Sequence, residues 1–467
     1  TTIRPYTAER YMLIDSSSRR NLELVETLRE KQKRGSLLWV LDKTKTAMGA
    51  RTLRSFVEQP LIDAKEINRR LEALEELNKK PMLRDELREY LNPIYDLERL
   101  VSRISFKSAN PRDMVAFASS LEMIPYIKQI LNDFEAPILK EIYEDMDSLE
   151  DITDLIKRAI VDEPPLAQKD GGIIREGFNE DVDKFRSART DGKKWLTELE
   201  ARERERTGIK SLKIKYNRVF GYALEVTNTF KDLVPEDYIR KQTLTNAERY
   251  ITEELKNLEN MILGAEDKLY ALEYQLFSDV RDKVGQEIIR IQRTAKAIAG
   301  LDVFASLALV AERNHYVRPK VNENGVIDIK GGRHPVVEQM IDNDMFIAND
   351  TYLDSNKKRI SIITGPNMAG KSTYMRQTAL IVLMAQIGSF VPADKATVGI
   401  VDRIFTRVGA SDDLASGQST FMVEMTEVAN ILRNATAKSL LILDEIGRGT
   451  STFDGLAIAW AVIEHIS

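Results

Sequence analysis

The residues best equipped for chemistry are GPNMAGKST, 365 to 373. The string fits G-x-x-x-x-G-K-[ST], in which glycines let the backbone curl until its amides face a polyphosphate. Gly365 and Gly370 supply that freedom, Lys371 can reach the β- and γ-phosphates, and Ser372 can hold Mg²⁺. A β-type run, Ile360 to Thr364, precedes the loop, and a helical pattern from Lys371 to Ile387 follows it. Further on, LLILDEIG ends an apolar run in Asp444 and Glu445. Carboxylates at the C-terminal end of a buried strand stand where doubly wound sheets bind ligands, so Asp444 suits the Mg²⁺ shell and Glu445 the attacking water. The implied cofactors are ATP or ADP with Mg²⁺, and a carboxylate directly after the magnesium aspartate points to hydrolysis. Between the two motifs, VGASDDLASGQSTFMVEMTEVANIL (408 to 432) brings Ser416, Gly417, Ser419 and Thr420 to the start of an amphipathic helix. Hydroxyls there serve either an anion or a simple N-cap.

Such residues need elements to hold them. The chain has 467 residues, room for about three domains of roughly 150 residues each. It contains no cysteine, which removes thiol nucleophiles, disulfides and thiolate metal sites, and its three histidines, His315, His334 and His465, stand far apart. Basic and acidic residues, 68 and 73, nearly cancel, so a nucleic-acid surface must be a local patch. The longest strongly apolar run, Ala379 to Ala385, is too short for a membrane span of about 20 residues. With no signal pattern the expected compartment is the cytoplasm, and neither end carries the marks of a native terminus, so both read as cut.

Residues 1 to about 190 have helix-period stretches such as 68 to 80 and 114 to 131, punctuated by Pro81, Pro93 and Pro111. Between Pro235 and Pro319 there is no proline, and Leu255, Leu258, Ile262, Ala265, Leu269, Leu272 and Leu276 recur in steps of three and four. One helix over 250 to 305 would be about 80 Å long, a strut or lever; the alternative is a bundle helix interrupted at Gly264, Gly285 or Gly300. Before it, KSLKIKYNRVFGYALEVTN (210 to 228) alternates as a β-hairpin turning near Asn217, Arg218 and Gly221. Arg206, Lys210, Lys213, Lys215 and Arg218 sit there without an acidic residue among them, a candidate contact for a phosphate backbone or else a solvated face. After about 315 short apolar runs alternate with helices, the pattern of an α/β fold with a mainly parallel sheet.

GPNMAGKST, ASDDLASGQSTFMVEM and DEIGRGTSTFDG, together with GSLLWVLDKTKTAMGARTLRSFVEQPL and GGRHPVVE, resemble the MutS family of DNA mismatch-repair ATPases, members of the ABC superfamily. The resemblance covers essentially the whole chain. It implies a multidomain fold: an all-α core and lever domain, an inserted β-containing clamp, then an α/β P-loop ATPase domain that is C-terminally incomplete. The implied segments are 1 to 10 as the end of a connector, 11 to 193 as core and lever, 194 to 253 as the DNA clamp, 254 to 315 as returning lever helices, and 316 to 467 as the ATPase part. The nucleotide would lie on Phe346, stacked against the base, and on Gly365, Pro366, Asn367, Met368, Ala369, Gly370, Lys371, Ser372 and Thr373. Ser419, with Ser416 competing, would reach the γ-phosphate of a second subunit in a homodimer, and Asp454 would lie at the dimer seam. Arg333 and His334 read as structural. Mismatched double-stranded DNA and a MutL-type protein are the implied partners.

The family's mismatch-sensing domain has no counterpart here, and Phe178 to Glu180 imitates its Phe-x-Glu reader only by coincidence, within a core-type segment. The chain also stops before the family's histidine-bearing switch, which His465 precedes, so hydrolysis by this chain alone is expected to be poor. Other readings are a paralogue acting on recombination intermediates, a transporter's ATP-binding subunit, and a nonhydrolytic DNA-binding scaffold. Nucleotide titration of Lys371→Ala tests the loop: tight ATP binding should be lost, and unaltered affinity would refute the assignment.

Overall fold

Prolines divide the first third of the chain into short helices. The computed structural model describes residues 8–166, 171–366, 368–408 and 419–467. After strand β1 (Leu13–Ile14) and helix α1 (Ser16–Asn21) come α2 (Leu37–Leu41), α3 (Ala47–Glu58), α4 (Ala64–Lys79), α5 (Pro81–Leu91), α6 (Leu97–Ser105), α7 (Pro111–Leu121), α8 (Ile124–Leu131), α9 (Pro137–Asp145) and α10 (Glu150–Ala159). Pro81, Pro111 and Pro137 each open a helix, where a missing N–H loses no intrahelical bond. The stretch 114 to 131 is split between α7 and α8, since Pro125 could not donate inside a continuous helix.

Helices α11 (Glu180–Thr207) and α12 (Glu253–Gln286) run antiparallel, with Arg202 paired to Glu254, Arg189 to Glu266 and Arg186 to Glu273. Between them in sequence lies an antiparallel sheet of β2 (Lys213–Asn217), β3 (Gly221–Thr227), β4 (Ile239–Thr243) and β5 (Ala247–Ile251), in the order β2-β3-β5-β4. The expected hairpin is present, with Asn217 opposite Gly221 and the Asn217 Oδ1 accepting from the N–H groups of Val219 and Phe220. Leu199, Leu212, Leu224, Val226 and Leu255 form the apolar core that joins sheet to helices.

The single long helix expected over 250 to 305 is instead two. Glu287, at φ −98° and ψ 19°, separates α12 from α13 (Ile288–Arg313), so their lengths are about 51 and 39 Å. Gly264, Gly285 and Gly300 stay inside helices, because packing outweighs about 1 kcal/mol of poor glycine propensity. The seam also drifts. Beyond Leu269 the buried residues are Glu273, Phe277, Val280, Arg281 and Val284 in place of Leu272 and Leu276, since 3.6 residues per turn cannot keep a seven-residue repeat on one line. Helix α13 is long and apolar enough to cross a membrane by length and composition, but 89% of its most apolar window is buried inside the protein.

The chain divides into two compact units, Thr1–Glu98 with Met123–Ser148 and Ile289–Ser467, and Arg99–Glu122 with Leu149–Ile288. This grouping cuts across the expected segments 11 to 193 and 254 to 315; of the chain's four passages between the units, the last falls between Ile288 and Ile289, just past the helix break at Glu287.

Beyond residue 315 the strands are β6 (Lys320–Asn322), β7 (Val326–Gly332), β8 (Asn349–Asp354), β9 (Lys395–Gly399), β10 (Arg403–Arg407) and β11 (Ser439–Leu443), with helices α14 (Val337–Met340), α15 (Lys371–Gln386), α16 (Thr420–Asn434) and α17 (Thr452–Ile466). Two sheets form instead of one mainly parallel sheet. β1-β10-β11 is parallel, whereas in β6-β9-β7-β8 only β6 and β9 run parallel. The expected strand over 360 to 364 does not form among the described residues; Ile362 is 73% exposed. An apolar run becomes a strand only where a neighbour accepts from its N–H groups and donates to its C=O groups. Conversely, β1 and α1 open the helical region in sequence yet pack on β10: Ser18 Oγ accepts from the Thr406 N–H, and Asn430 of α16 donates to Asp15.

His334 and Arg333 are structural here, as expected. The Arg333 guanidinium donates to Glu338 and to the carbonyls of Asn314 and His315. His334 Nδ1 accepts from the N–H groups of Val336 and Val337, and burial, aided by the nearby Arg376 charge, lowers its pKa to about 4. The unfolded chain therefore takes up this proton first, near pH 6.5, so the contribution to stability is full above that pH and declines as pH falls toward 4. Melting curves between pH 7.5 and 5 should fall more steeply for the wild type than for His334→Asn; parallel curves would remove His334 as the cause.

Candidate functional site

Helix α15 starts where it does because Gly370, at φ 85°, adopts a backbone conformation that side chains rarely tolerate. No side chain caps this end, so the first N–H groups of the helix remain open to an anion. Ahead of it the Ala369 N–H donates to the Pro366 carbonyl at 3.0 Å, closing the turn that follows Gly365. The Met368 side chain is fully exposed, while Lys371 and Thr373 are half-buried. Among the described residues the Lys371 ammonium has no hydrogen-bond or ion-pair partner. Asn367 lies outside the described residues.

Strand β11 delivers Asp444 to this loop. The Ser372 hydroxyl donates to the Asp444 carboxylate, which is 7% exposed. The Asp444 N–H donates to the Arg407 carbonyl at 2.7 Å, carrying the β10–β11 pairing one residue past the strand end. Glu445 sits at φ 55°, a conformation that costs a non-glycine residue of order 1–3 kcal/mol and that clusters at functional sites. Its carboxylate is paired with Arg448.

Ser416 and Gly417 lie outside the described residues, as does the rest of 409 to 418. Ser419 caps α16, its Oγ accepting from the Met422 N–H at 3.3 Å, which leaves the hydroxyl proton free to donate elsewhere. Sequence reasoning missed Glu424. It is buried on α16 and accepts from the Gly447 N–H, tying that helix to the turn that follows Glu445. The available signal was a glutamate on the inward face of an amphipathic helix. Gly447 and Gly455 approach so closely that a Cβ on either would meet the other's carbonyl oxygen within 2.4 Å. Asp454 accepts from the Ser451 hydroxyl at 2.7 Å at the start of α17. Phe346 is half-buried, in a segment without helix or strand just before β8.

The profile of MutS domain III matches residues 17–308, more than half of the chain. The chain belongs to the MutS family. MutS domain V matches residues 361–467, which contain the loop, α15, α16, β11 and α17. The DNA mismatch repair protein MutS of Lachnoclostridium phytofermentans is 72% identical over 467 residues, all of this chain and 50% of that protein. The proteins of the same name from Acetivibrio thermocellus and Ruminiclostridium cellulolyticum are 61% and 62% identical, each over 99% of this chain and 53% of the relative. The chain thus spans about half the length of the curated MutS relatives it matches.

Within the part matched to MutS domain III, the structure divides the five cations of the hairpin region. Arg206 is held by Glu203 and Asp237 at 2.8 and 3.0 Å, and these hydrogen bonds raise its pKa further. Lys215 is paired with Glu225, which Arg249 shares. Lys210, Lys213 and Arg218 are exposed and, among the described residues, make no hydrogen bond or ion pair. A count along 206 to 218 finds no acid because Glu225 and Asp237 arrive from later in the chain.

Proposed function

We propose that this chain is the nucleotide-binding and DNA-clamping half of a DNA mismatch repair protein, in which ATP hydrolysis near α15 is coupled to closure of the inserted sheet on duplex DNA. The observation that carries this is the hydrogen bond between Ser372 and Asp444, which joins the glycine-rich loop to the carboxylate end of β11. The name shared by its MutS relatives favours mismatch repair over action on recombination intermediates.

The α15 amides and the free Lys371 ammonium would hold the β- and γ-phosphates, and Phe346 would stack on the base. Ser372 and Asp444 offer hard oxygen donors that already meet at one point, a set that fits Mg²⁺. When bound, the ion would neutralise charge on the phosphates. Glu445 would leave Arg448 and orient the attacking water. Ser419 of one subunit would donate to the γ-phosphate held by the other in a homodimer, and a MutL-type protein would read the resulting state. Lys210, Lys213 and Arg218 would contact the DNA backbone without reading sequence.

Steady-state turnover of Glu445→Gln tests the hydrolytic reading: ATP should still bind while turnover drops at least a hundredfold, within the range for loss of general acid–base catalysis. Unchanged turnover would support the scaffold instead. Reversing Lys210, Lys213 and Arg218 to Glu should weaken duplex binding and flatten its log–log salt dependence by about one unit per lost phosphate contact. Reversing Arg206 should chiefly destabilise the sheet. A salt slope unmoved by the triple change would take the hairpin out of the DNA interface.

A further inference from the structure

Tyr374 lies one helical turn beyond Lys371 on α15 and is half-buried. Its hydroxyl donates to the Asp350 main-chain carbonyl at 2.9 Å and accepts from the Thr351 hydroxyl at 2.8 Å. Both partners belong to the first residues of β8. Thr351 is buried and also faces the Thr378 hydroxyl, one turn further along α15, at 3.4 Å. The first turns of the helix that follows the glycine-rich loop are thereby fastened to the start of β8.

That start is the downstream anchor of the segment carrying Phe346. From Ile341 to Ala348 the chain has neither helix nor strand, and Met345 and Ile347, either side of Phe346, are 92% and 81% exposed. Asp350 is fixed from its other side as well, its carboxylate accepting from the Gly331 N–H at 2.8 Å, beside the irregular end of the β7–β8 ladder. Four residues of extended chain reach at most about 14 Å, so the position of Asp350 limits where Phe346 can stand relative to the loop. Tyr374 thus ties the helix that follows the glycine-rich loop to the chain four residues beyond Phe346.

We propose that Tyr374 is a positioning residue for base recognition: through Asp350 and Thr351 it fixes the Phe346 segment at the distance from the phosphate loop that a purine nucleoside triphosphate requires. This rests on the nucleotide reading above. A purely local packing role would affect ligands with and without a base alike, whereas a spacing role affects only ligands that have one.

The experiment titrates the wild-type chain, Tyr374→Phe and Thr351→Val with ATP and with inorganic tripolyphosphate, both in Mg²⁺. Tyr374→Phe keeps the ring and removes the hydroxyl, and should weaken ATP roughly five- to tenfold, the scale of one or two lost hydrogen bonds, with tripolyphosphate affinity unchanged. Thr351→Val should shift ATP in the same direction, and the double variant should be no weaker than Tyr374→Phe, because both changes act on one hydroxyl. Thr351→Val also serves should Tyr374→Phe fail to fold. Unchanged ATP affinity in both variants, or equal weakening of ATP and tripolyphosphate, overturns the proposal while leaving the nucleotide site intact. A wild-type chain that binds neither ligand overturns the nucleotide reading and this proposal with it.

Discussion

The contact between the Ser372 hydroxyl and the Asp444 carboxylate joins the start of α15 to the end of β11, two places 72 residues apart. That meeting holds the first turn of α15 against the carboxylate end of β11. It depends on β11 being in register with β10, since the Asp444 N–H must reach the Arg407 carbonyl. β10 in turn is flanked by β1 and covered by α1, so residues from the start of the chain help seat the carboxylate. A slip of one residue in the β10–β11 pairing would send Asp444 to the opposite face and leave Ser372 without its partner.

Buried acids recur as fasteners throughout both units, each satisfied by backbone N–H groups from a distant segment. Asp302 on α13 receives the N–H groups of Lys45 and Thr46 and so starts α3. Glu273 on α12 receives Gly172, Ile173 and Ile174 together with the Arg186 guanidinium. Glu424 on α16 receives Gly447. An ionised carboxylate can remain in an apolar interior only if donors surround it, and turn amides are donors that water can no longer serve. The outcome in each case is a helix locked to a turn. For Glu424 the turn is the one that follows Glu445, which links the helix headed by Ser419 to the carboxylate proposed to orient water.

On the inserted sheet, pairing sorts charges that look alike in the sequence. Lys213 and Lys215 both project from β2, and only Lys215 finds a carboxylate, because Glu225 leans toward it while also holding Arg249. Arg206 serves its own helix end and Asp237. A surface offering positive charge to another molecule needs cations without such partners, and Arg218 in the hairpin turn, Lys213 on β2 and Lys210 just ahead of it remain in that condition among the described residues.

Short-range rules were enough to read much of this protein from its residues. The glycine-rich loop, its helix, the hairpin turn at Asn217 and the helix starts at Pro81 and Pro111 all follow from local backbone preferences, which neighbouring residues set. The MutS motifs likewise announce a family without any coordinates. Other features required the folded chain. The run at 360 to 364 has strand composition but no ladder to join, whereas Leu13 and Ile14 become a strand because β10 offers one. The long helical stretch breaks at Glu287, two residues past Gly285 and not at the glycine itself, and its buried seam drifts through Glu273 as the 3.6-residue turn carries the seven-residue repeat off its line. Pairings such as Lys215 with Glu225 and Arg206 with Asp237 connect residues that tertiary structure alone makes neighbours, whereas the motifs had already assigned Ser372 and Asp444 to one Mg²⁺.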